Sequence, residues 1–490
     1  MTGVLGARAM RGSLWLGLTN VLSKGSQAVV TLALAALLTE GELGSVALTV
    51  ALVNIGQVVQ SMGVYDVISR TEGDPKRVAG TVLTLSVGVS AALALALALA
   101  AQPIATAVGG PEAASLVRLA AVSLPFSAIG GVQMALMHRD LDFRRRLLPD
   151  AGSAILGALV TVLLALNGWG PQSVVIGVVA TAVAQPLLGA AMGVRSVPGW
   201  DTAAARESLR WIAVVGPAAI VAILLVNLDY LAIGRVLGPD AVGLYSLAYR
   251  IAWMPYIAVA VVLGAVAFPV FTTLLRTRRR DELPTAVSRF TRAVLVLTGG
   301  LYLITALLAD RVTLLGERWA PAAGVLVLLC AYGVAISILQ VWYQAIKAAG
   351  HPRRYLALET AHLVAFTAGL MFATRHGMAA VALTQVVVAW ALVALTWWVM
   401  VRSAVAFPLA ELTRMGAGVA CSGLLCAAAA LVMTVVGVPQ TLGGTLVEGA
   451  VLVLVYTGAT LLTQRGTLSE LRAVSPRPSR DTPARTGDRR

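Results

Sequence analysis

Residues 13–38 read SLWLGLTNVLSKGSQAVVTLALAALL, an apolar stretch long enough to cross a bilayer as one helix. Lys24 lies near its middle, and Asn20, Gln27 and Thr31 share its face at helical spacing. A charge at the centre of a membrane costs roughly 2.5–3.5 kcal/mol on insertion scales, so this face should contact protein or a polar cavity. The stretch therefore predicts one helix of a membrane-embedded bundle.

Similar apolar stretches recur along all 490 residues. Hydrophobic residues make up 58% of the chain and charged residues 12%, and the mean hydropathy is +0.84. Soluble domains carry about 25% charged residues. We therefore predict an all-α polytopic membrane protein with about 14 transmembrane helices. The predicted spans are 13–38, 42–63, 79–101, 114–136, 150–168, 172–194, 211–236, 241–269, 291–309, 320–346, 355–375, 378–401, 412–436 and 441–463.

The basic residues that give the net charge of +14 concentrate in the connections on one side of the predicted membrane. Arginine and lysine cluster in alternate connections, for example at 144–146 and 278–280, while the intervening connections carry few. The positive-inside rule therefore predicts that both termini are cytoplasmic. Since the charge follows topology in this way, no nucleic-acid partner is expected.

Two pairs of short segments recur in the same order in the two halves of the chain. The segment LTEGELG at 38–44 follows the first span as LGPDAVG at 237–243 follows the seventh. The segment RRRLLPD at 144–150 corresponds to RRYLALE at 353–359. An even-numbered unit of six helices, repeated in parallel, places both copies in the same orientation.

This repeat divides the chain into five predicted parts, the last of them rich in proline and arginine and therefore predicted to be disordered. They are an N-terminal six-helix lobe at 1–194, a cytoplasmic linker at 195–210, a second six-helix lobe at 211–402, two additional helices at 403–463 and a basic cytoplasmic tail at 464–490.

Further polar side chains lie within the predicted spans. Asn54 and Gln57 share one face of the second span, and Gln340 and Gln344 share one face of the tenth. The eighth span carries an aromatic stripe beside one cation, with Tyr249 and Arg250 at its centre. Aromatic faces next to a cation suit sugar rings near a phosphate, although helix packing explains the stripe equally well.

Asp229, in the seventh span, is the deepest acidic residue of the sequence. One interpretation is a binding site for a coupling ion, H⁺ or Na⁺. The alternative is a structural ion pair with Lys24 or Arg250 that holds helices together.

Signatures of catalysis are absent from the sequence. It contains no G-x-x-x-x-G-K-[S/T] loop and no cluster of cysteine and histidine with metal-ligand spacing, and it has only four histidines. We therefore predict no catalytic residues, no cofactor, no metal site and no enzymatic activity.

A series of short segments runs in order from residue 11 to residue 346: GVYD at 63–66, QPIA at 102–105, MALMHRDLDFRR at 134–145, GWG at 168–170, NLDYLAIG at 227–234, LGPDAVGLY at 237–245, FP at 268–269 and LGERW at 315–319. The series resembles the polysaccharide transporter family of oligosaccharide flippases, of the Wzx or colanic-acid-exporter type. This family belongs to the multidrug/oligosaccharidyl-lipid/polysaccharide exporter superfamily.

The resemblance implies two six-helix lobes of the kind found in multidrug (MATE) exporters, followed by two additional helices. It also implies export of an undecaprenyl-diphosphate-linked oligosaccharide, a precursor of lipopolysaccharide or exopolysaccharide, across the bacterial cytoplasmic (inner) membrane by alternating access. Expected partners are this lipid-linked cargo, membrane lipids, polysaccharide polymerase or glycosyltransferases, and H⁺ or Na⁺ as coupling ion. The candidate residues for a substrate cavity are Asn20, Lys24, Gln27, Asn54, Gln57, Tyr249, Arg250, Gln340 and Gln344.

Two other functions stay open on the sequence. A cation-coupled multidrug exporter of the same superfamily would favour acidic and aromatic side chains in its cavity, so Lys24 and Arg250 count against it. A scaffold of a polysaccharide synthesis complex that does not transport would not need the polar stripes.

Overall fold

The computed structural model describes residues 30–61, 64, 67–68, 75–140, 142–403 and 407–463. Within these residues the chain is helical, without strands, and thirteen helices are long and apolar enough to cross a membrane. The predicted all-α polytopic fold is confirmed. We number the helices α1 (residues 30–37), α2 (Glu40–Ser61), α3 (Pro75–Leu99), α4 (Ala113–Arg139), α5 (Arg144–Leu166), α6 (Pro171–Ala191), α7 (Thr202–Leu237), α8 (Pro239–Arg276), α9 (Leu283–Leu307), α10 (Ala320–Ala348), α11 (Pro352–Ala373), α12 (Met378–Ser403), α13 (Leu409–Val436) and α14 (Leu442–Thr463).

Helix α7 begins well before the span predicted at 211–236. The Asp201 side chain caps it by accepting hydrogen bonds from the backbone amides of Ala203 and Ala204 at 2.8 and 3.0 Å. The first turns of α7, TAAARESLR at 202–210, carry polar and charged side chains, so hydropathy alone does not reveal them. Helix α7 therefore takes in part of the segment that we predicted to be a linker.

The two halves of the chain pack in the same pattern. In the first half, α4 packs against α3 and α6, and α5 packs against α6. In the second half, α10 packs against α9 and α12, and α11 packs against α12. Each of these three contacts of the first half has its counterpart six helices later, as expected for a duplicated six-helix unit.

The last two helices pack against α9. The Tyr456 hydroxyl of α14 donates to the Val296 carbonyl of α9 at 2.8 Å. Glu448 of α14 forms an ion pair at 2.5 Å with Arg311, which lies between α9 and α10, and both side chains are largely buried. This pair joins the additional helices to the second half of the bundle.

Replacing Arg311 with alanine should destabilise the protein strongly, because it leaves Glu448 buried without its cation. Breaking one side of a buried ion pair costs about 3–5 kcal/mol, whereas replacing both partners by apolar residues is often neutral. Thermal unfolding in detergent should show a large fall in Tm for Arg311→Ala and recovery in Arg311→Met/Glu448→Leu. Arg375→Ala, at an exposed arginine, is the matched control. An equal fall for Arg375→Ala, or no recovery in the double variant, would contradict this assignment.

Candidate functional site

Two glycines let the two halves of the chain meet at one end of the bundle. A Cβ on Gly44 of α2 would overlap the carbonyl oxygen of Pro239, and a Cβ on Gly243 of α8 would overlap the carbonyl oxygen of Glu40. The contact is reciprocal, because each glycine packs on the first turn of the other helix. It joins the two repeated segments that were recognised in the sequence. We call this region, formed by residues 35–44, 239–243 and 318–319, the closed end.

Arg318 and Trp319, just before α10, fasten the closed end from the second half of the chain. The Arg318 guanidinium donates to the carbonyl oxygens of Ala35 and Leu38 at 3.3 and 3.0 Å, and the Trp319 indole donates to that of Ala35 at 2.9 Å. The Arg318 guanidinium also lies 3.8 Å from the Glu40 carboxylate. A cation that satisfies the free carbonyls at a helix C-terminus is favourable both as a cap and toward the helix dipole.

A second arginine makes a similar contact nearby. Arg235, in the last turn of α7, donates to the carbonyl oxygen of Ala107 at 2.7 Å. Ala107 ends the short helix Ala101–Ala107, which belongs to the first half of the chain. Polar contacts to backbone atoms therefore join the two halves at this end in at least two places.

The polar residues predicted for a cavity fall into two groups. Asn20, Lys24 and Gln27 lie outside the described residues, so their role stays a prediction. Asn54 and Gln57 are half-buried on α2, and the Gln57 amide lies 3.5 Å from the Ser127 hydroxyl of α4.

Helices α8 and α10 bring other predicted residues together. The Tyr256 hydroxyl of α8 donates to the side-chain oxygen of Gln340 on α10 at 3.2 Å. Gln344 is half-buried one turn further along α10, and Arg250 is half-buried on α8. Among the described residues, no carboxylate lies within 4.0 Å of the Arg250 guanidinium. Arg250 thus lies at membrane depth without an ion-pair partner in the described chain.

The aromatic stripe of α8 packs with α7 into a continuous run of rings. Tyr249 is buried. Its ring stacks on that of Trp253 with 5.2 Å between the ring centroids, and it lies edge-on to the ring of Tyr230 of α7 with 5.7 Å between the centroids. Trp253 in turn contacts Tyr256 at 4.7 Å. Tyr249 therefore has a packing role in this conformation, while the half-buried Trp253 and Tyr256 extend the run toward Gln340.

Asp229 is fully buried between three helices. Its carboxylate accepts hydrogen bonds from the Tyr245 hydroxyl of α8 and the Gln385 amide of α12, both at 2.9 Å. An ion pair with Arg250, one of the two structural explanations, is not formed, and Lys24 lies outside the described residues. In the described chain this buried carboxylate is held only by neutral donors, so its charged form is costly. Binding of a proton or a small cation would lower that cost.

Two residues of the candidate site, Gln385 and Arg318, were not predicted from the sequence. Gln385 is the lone amide in the apolar α12, and that isolation was the available signal for a polar contact. Arg318 resembled an ordinary connection arginine, since its acceptors are backbone carbonyls that leave no trace in sequence. Over the described part of the chain, no group of three or more His, Cys, Asp or Glu side chains is placed to hold a metal ion.

Comparison with known proteins gives a consistent set of relatives. A family model described as "Polysaccharide biosynthesis protein" matches residues 33–324. The succinoglycan biosynthesis transport protein ExoT of Rhizobium meliloti (strain 1021) is 26% identical over 334 residues, which are 67% of this chain and 67% of that protein. The lipopolysaccharide biosynthesis protein WzxC of Escherichia coli (strain K12) is 23% identical over 341 residues, 68% of each chain.

Solved structures share the fold at low sequence identity. The lipid II flippase MurJ, in an inward closed conformation, has a TM-score of 0.75 at 11% identity and covers 94% of this chain and 100% of its own. A multidrug resistance MATE transporter in an inward-facing conformation has a TM-score of 0.61 at 16% identity, over 81% of this chain and 95% of its own. An outward-facing structure of a MATE transporter has a TM-score of 0.52 at 17% identity, over 83% of this chain and 96% of its own.

Proposed function

Because the chain belongs to the polysaccharide biosynthesis protein family whose model it matches over residues 33–324, we propose that it exports a lipid-linked oligosaccharide. The cargo is an oligosaccharide on undecaprenyl diphosphate, moved from the inner to the outer leaflet of a bacterial cytoplasmic membrane. The proposed mechanism is alternating access between the two halves of the bundle, with both termini in the cytoplasm.

The reciprocal closed end is the observation that carries this proposal. The two halves make equivalent contacts with each other, Gly44 with Pro239 and Gly243 with Glu40. The halves therefore meet as two similar bodies. Two similar bodies that meet at one end can separate there and approach each other at the other end. With cytoplasmic termini, α2 and α8 begin at the outer face, so the closed end is periplasmic and the cargo enters from the cytoplasm.

The chemistry of the cargo fits the polar faces of the bundle. A sugar diphosphate cannot enter hydrocarbon unaided, because its charges and hydroxyls would lose their hydration. Cations and amides supply charge-assisted and neutral hydrogen bonds in place of water. The residues proposed for this role are Lys24, Gln27, Asn54, Gln57, Arg250, Gln340 and Gln344, while the lipid chain stays in the bilayer.

Asp229 is the proposed site of ion coupling. It joins α7, α8 and α12 through Tyr245 and Gln385, so a change in its charge acts on the packing of three helices of one half. Binding of H⁺ or Na⁺ would neutralise the carboxylate and bias the bundle toward one arrangement, as coupling requires.

Reconstituted protein tests the proposed function. Proteoliposomes that contain a labelled undecaprenyl-diphosphate oligosaccharide should move it from one leaflet to the other, as measured by its accessibility to a membrane-impermeant glycosidase. Arg250→Gln should slow this movement at least about tenfold, corresponding to roughly 1.4 kcal/mol, because the diphosphate loses a charge-assisted hydrogen bond. Arg375→Gln is the control at an exposed arginine. Equal rates in empty liposomes and proteoliposomes would refute the proposed function.

The multidrug exporter remains the alternative outcome of the same assay. Movement of lipophilic cations, with none of the lipid-linked oligosaccharide, would support it.

A further inference from the structure

Trp200 and the first turns of α7 form a basic groove at the end of the membrane span. A cavity of about 510 Å³ is lined there by Trp200, Arg206, Leu209 and Arg210, among others. These residues precede the apolar run of α7 that begins at Trp211, so the groove lies at the end of the membrane span. It is separate from the polar faces assigned to the cargo.

The groove combines exposed apolar and exposed basic side chains. Trp200 is 62% exposed and Leu209 is 58% exposed, although both are large and apolar. Arg206 and Arg210 are exposed one helical turn apart, and neither has a carboxylate within 4.0 Å among the described residues, although the exposed Glu207 adjoins Arg206. Tryptophan beside arginine at the end of a span is typical of the lipid headgroup region.

An apolar crevice adjoins this groove. It runs between α2, α3 and α7, and Leu209 lines both the groove and the crevice. Val59 of α2, together with Val82, Leu85 and Val89 of α3, forms much of its apolar wall. The two cavities together therefore offer a cationic mouth and an apolar continuation.

Hydrogen bonds and an ion pair join the groove to the first half of the bundle. The Asp201 backbone amide donates to the Thr81 hydroxyl at 2.9 Å, and the Thr84 hydroxyl donates to the Gly199 carbonyl at 2.9 Å. The Ala204 amide lowers the pKa of the Asp201 carboxyl, and Arg77, 2.7 Å away, lowers it further, so Asp201 remains ionised in neutral and mildly acidic solution. These contacts join the residues before Arg206 to α3.

We propose that the groove and the crevice bind one anionic phospholipid, with its phosphate between Arg206 and Arg210 and one acyl chain along Leu209. Two arginines one turn apart match a single phosphate group, and both are unpaired in the described chain. Exposure of the mouth at the membrane surface makes it accessible to bulk lipid. The site is independent of the proposed export function.

Native mass spectrometry of the full chain in detergent tests this site with added dioleoyl phosphatidylglycerol and dioleoyl phosphatidylcholine. Wild type should retain phosphatidylglycerol in preference. In Arg206→Gln/Arg210→Gln the affinity for phosphatidylglycerol should fall about thirtyfold, which is about 2 kcal/mol for two basic residues near a lipid surface. The matched control, Arg278→Gln/Arg280→Gln, changes two exposed arginines of the connection after α8 and should bind like wild type.

Two competitors test whether the bound phosphate belongs to a phospholipid, to a soluble phosphate ester or to the cargo lipid. Glycerol 1-phosphate should not displace phosphatidylglycerol, because it lacks the acyl chain. Undecaprenyl phosphate should compete no better than phosphatidylglycerol. Stronger competition by undecaprenyl phosphate would assign the site to the cargo lipid and overturn the proposal. Equal binding by the arginine variant and wild type, or an equal loss in the control variant, would overturn it as well.

Discussion

Arg318→Ala should shift the two halves of the bundle away from the arrangement in which the closed end is shut. The Arg318 guanidinium caps carbonyls of Ala35 and Leu38 across the boundary between the halves, and alanine removes those bonds. Hydrogen bonds to charged groups contribute about 1.5–3 kcal/mol each, and partial exposure reduces that value here. We expect a net loss of about 2 kcal/mol, which is roughly a thirtyfold shift in the equilibrium.

Cross-linking across the closed end measures this shift. Gly41 lies against the Asp240 side chain, so cysteines at these two positions should cross-link when the closed end is shut. The native cysteines Cys330, Cys421 and Cys426 are replaced first. Arg318→Ala should lower the rate of cross-linking, and Arg318→Lys should retain part of it, since an ammonium can still donate to carbonyls.

Arg375→Ala is the matched control, because Arg375 is an exposed arginine before α12 with no hydrogen bond or ion pair in the described chain. If Arg318→Ala and Arg375→Ala cross-link at the wild-type rate, Arg318 does not hold the two halves together.

Asp229→Asn should separate transport from the ion gradient. Asparagine keeps the size of the side chain but stays neutral, so H⁺ or Na⁺ can no longer change its charge. The amide oxygen can still accept from Tyr245 or Gln385, and the helix packing should survive. We expect stimulation of transport by an imposed H⁺ or Na⁺ gradient to disappear, while slow movement of cargo down its own gradient persists.

Proteoliposomes with imposed gradients measure this effect, and Asp310→Asn serves as the control at an exposed acid between α9 and α10. A mutant that unfolds would be recognised by its Tm in detergent. Unchanged gradient dependence in folded Asp229→Asn would leave Asp229 with a structural role alone.

Hydropathy predicted the membrane helices well, because the apolar spans must satisfy their backbone groups within helices. It missed the early start of α7, where polar and amphipathic turns from Thr202 precede the apolar span. The family resemblance, carried by segments such as LGERW at 315–319, is confirmed by the match over residues 33–324. The chain belongs to the polysaccharide biosynthesis protein family, and its relatives ExoT and WzxC are named as transport and biosynthesis proteins.

The site was predictable only in part. Asp229 was recognisable because an acid in an apolar span is rare, whereas its partner Gln385 comes from a helix far away in the chain. The repeated segments at 38–44 and 237–243 indicated duplication, but their mutual contact depends on how the halves pack. Arg318 binds backbone carbonyls, which every residue carries, so no sequence pattern could identify its acceptors.

Locking the closed end tests alternating access most directly. The Gly41→Cys/Asp240→Cys variant, with the native cysteines replaced, is reconstituted into proteoliposomes with labelled undecaprenyl-diphosphate oligosaccharide. Movement of the cargo between leaflets is then measured before oxidation, after cross-linking and after reduction. We predict that cross-linking stops the movement and that reduction restores it. Continued movement at the original rate in fully cross-linked protein would contradict the proposed mechanism.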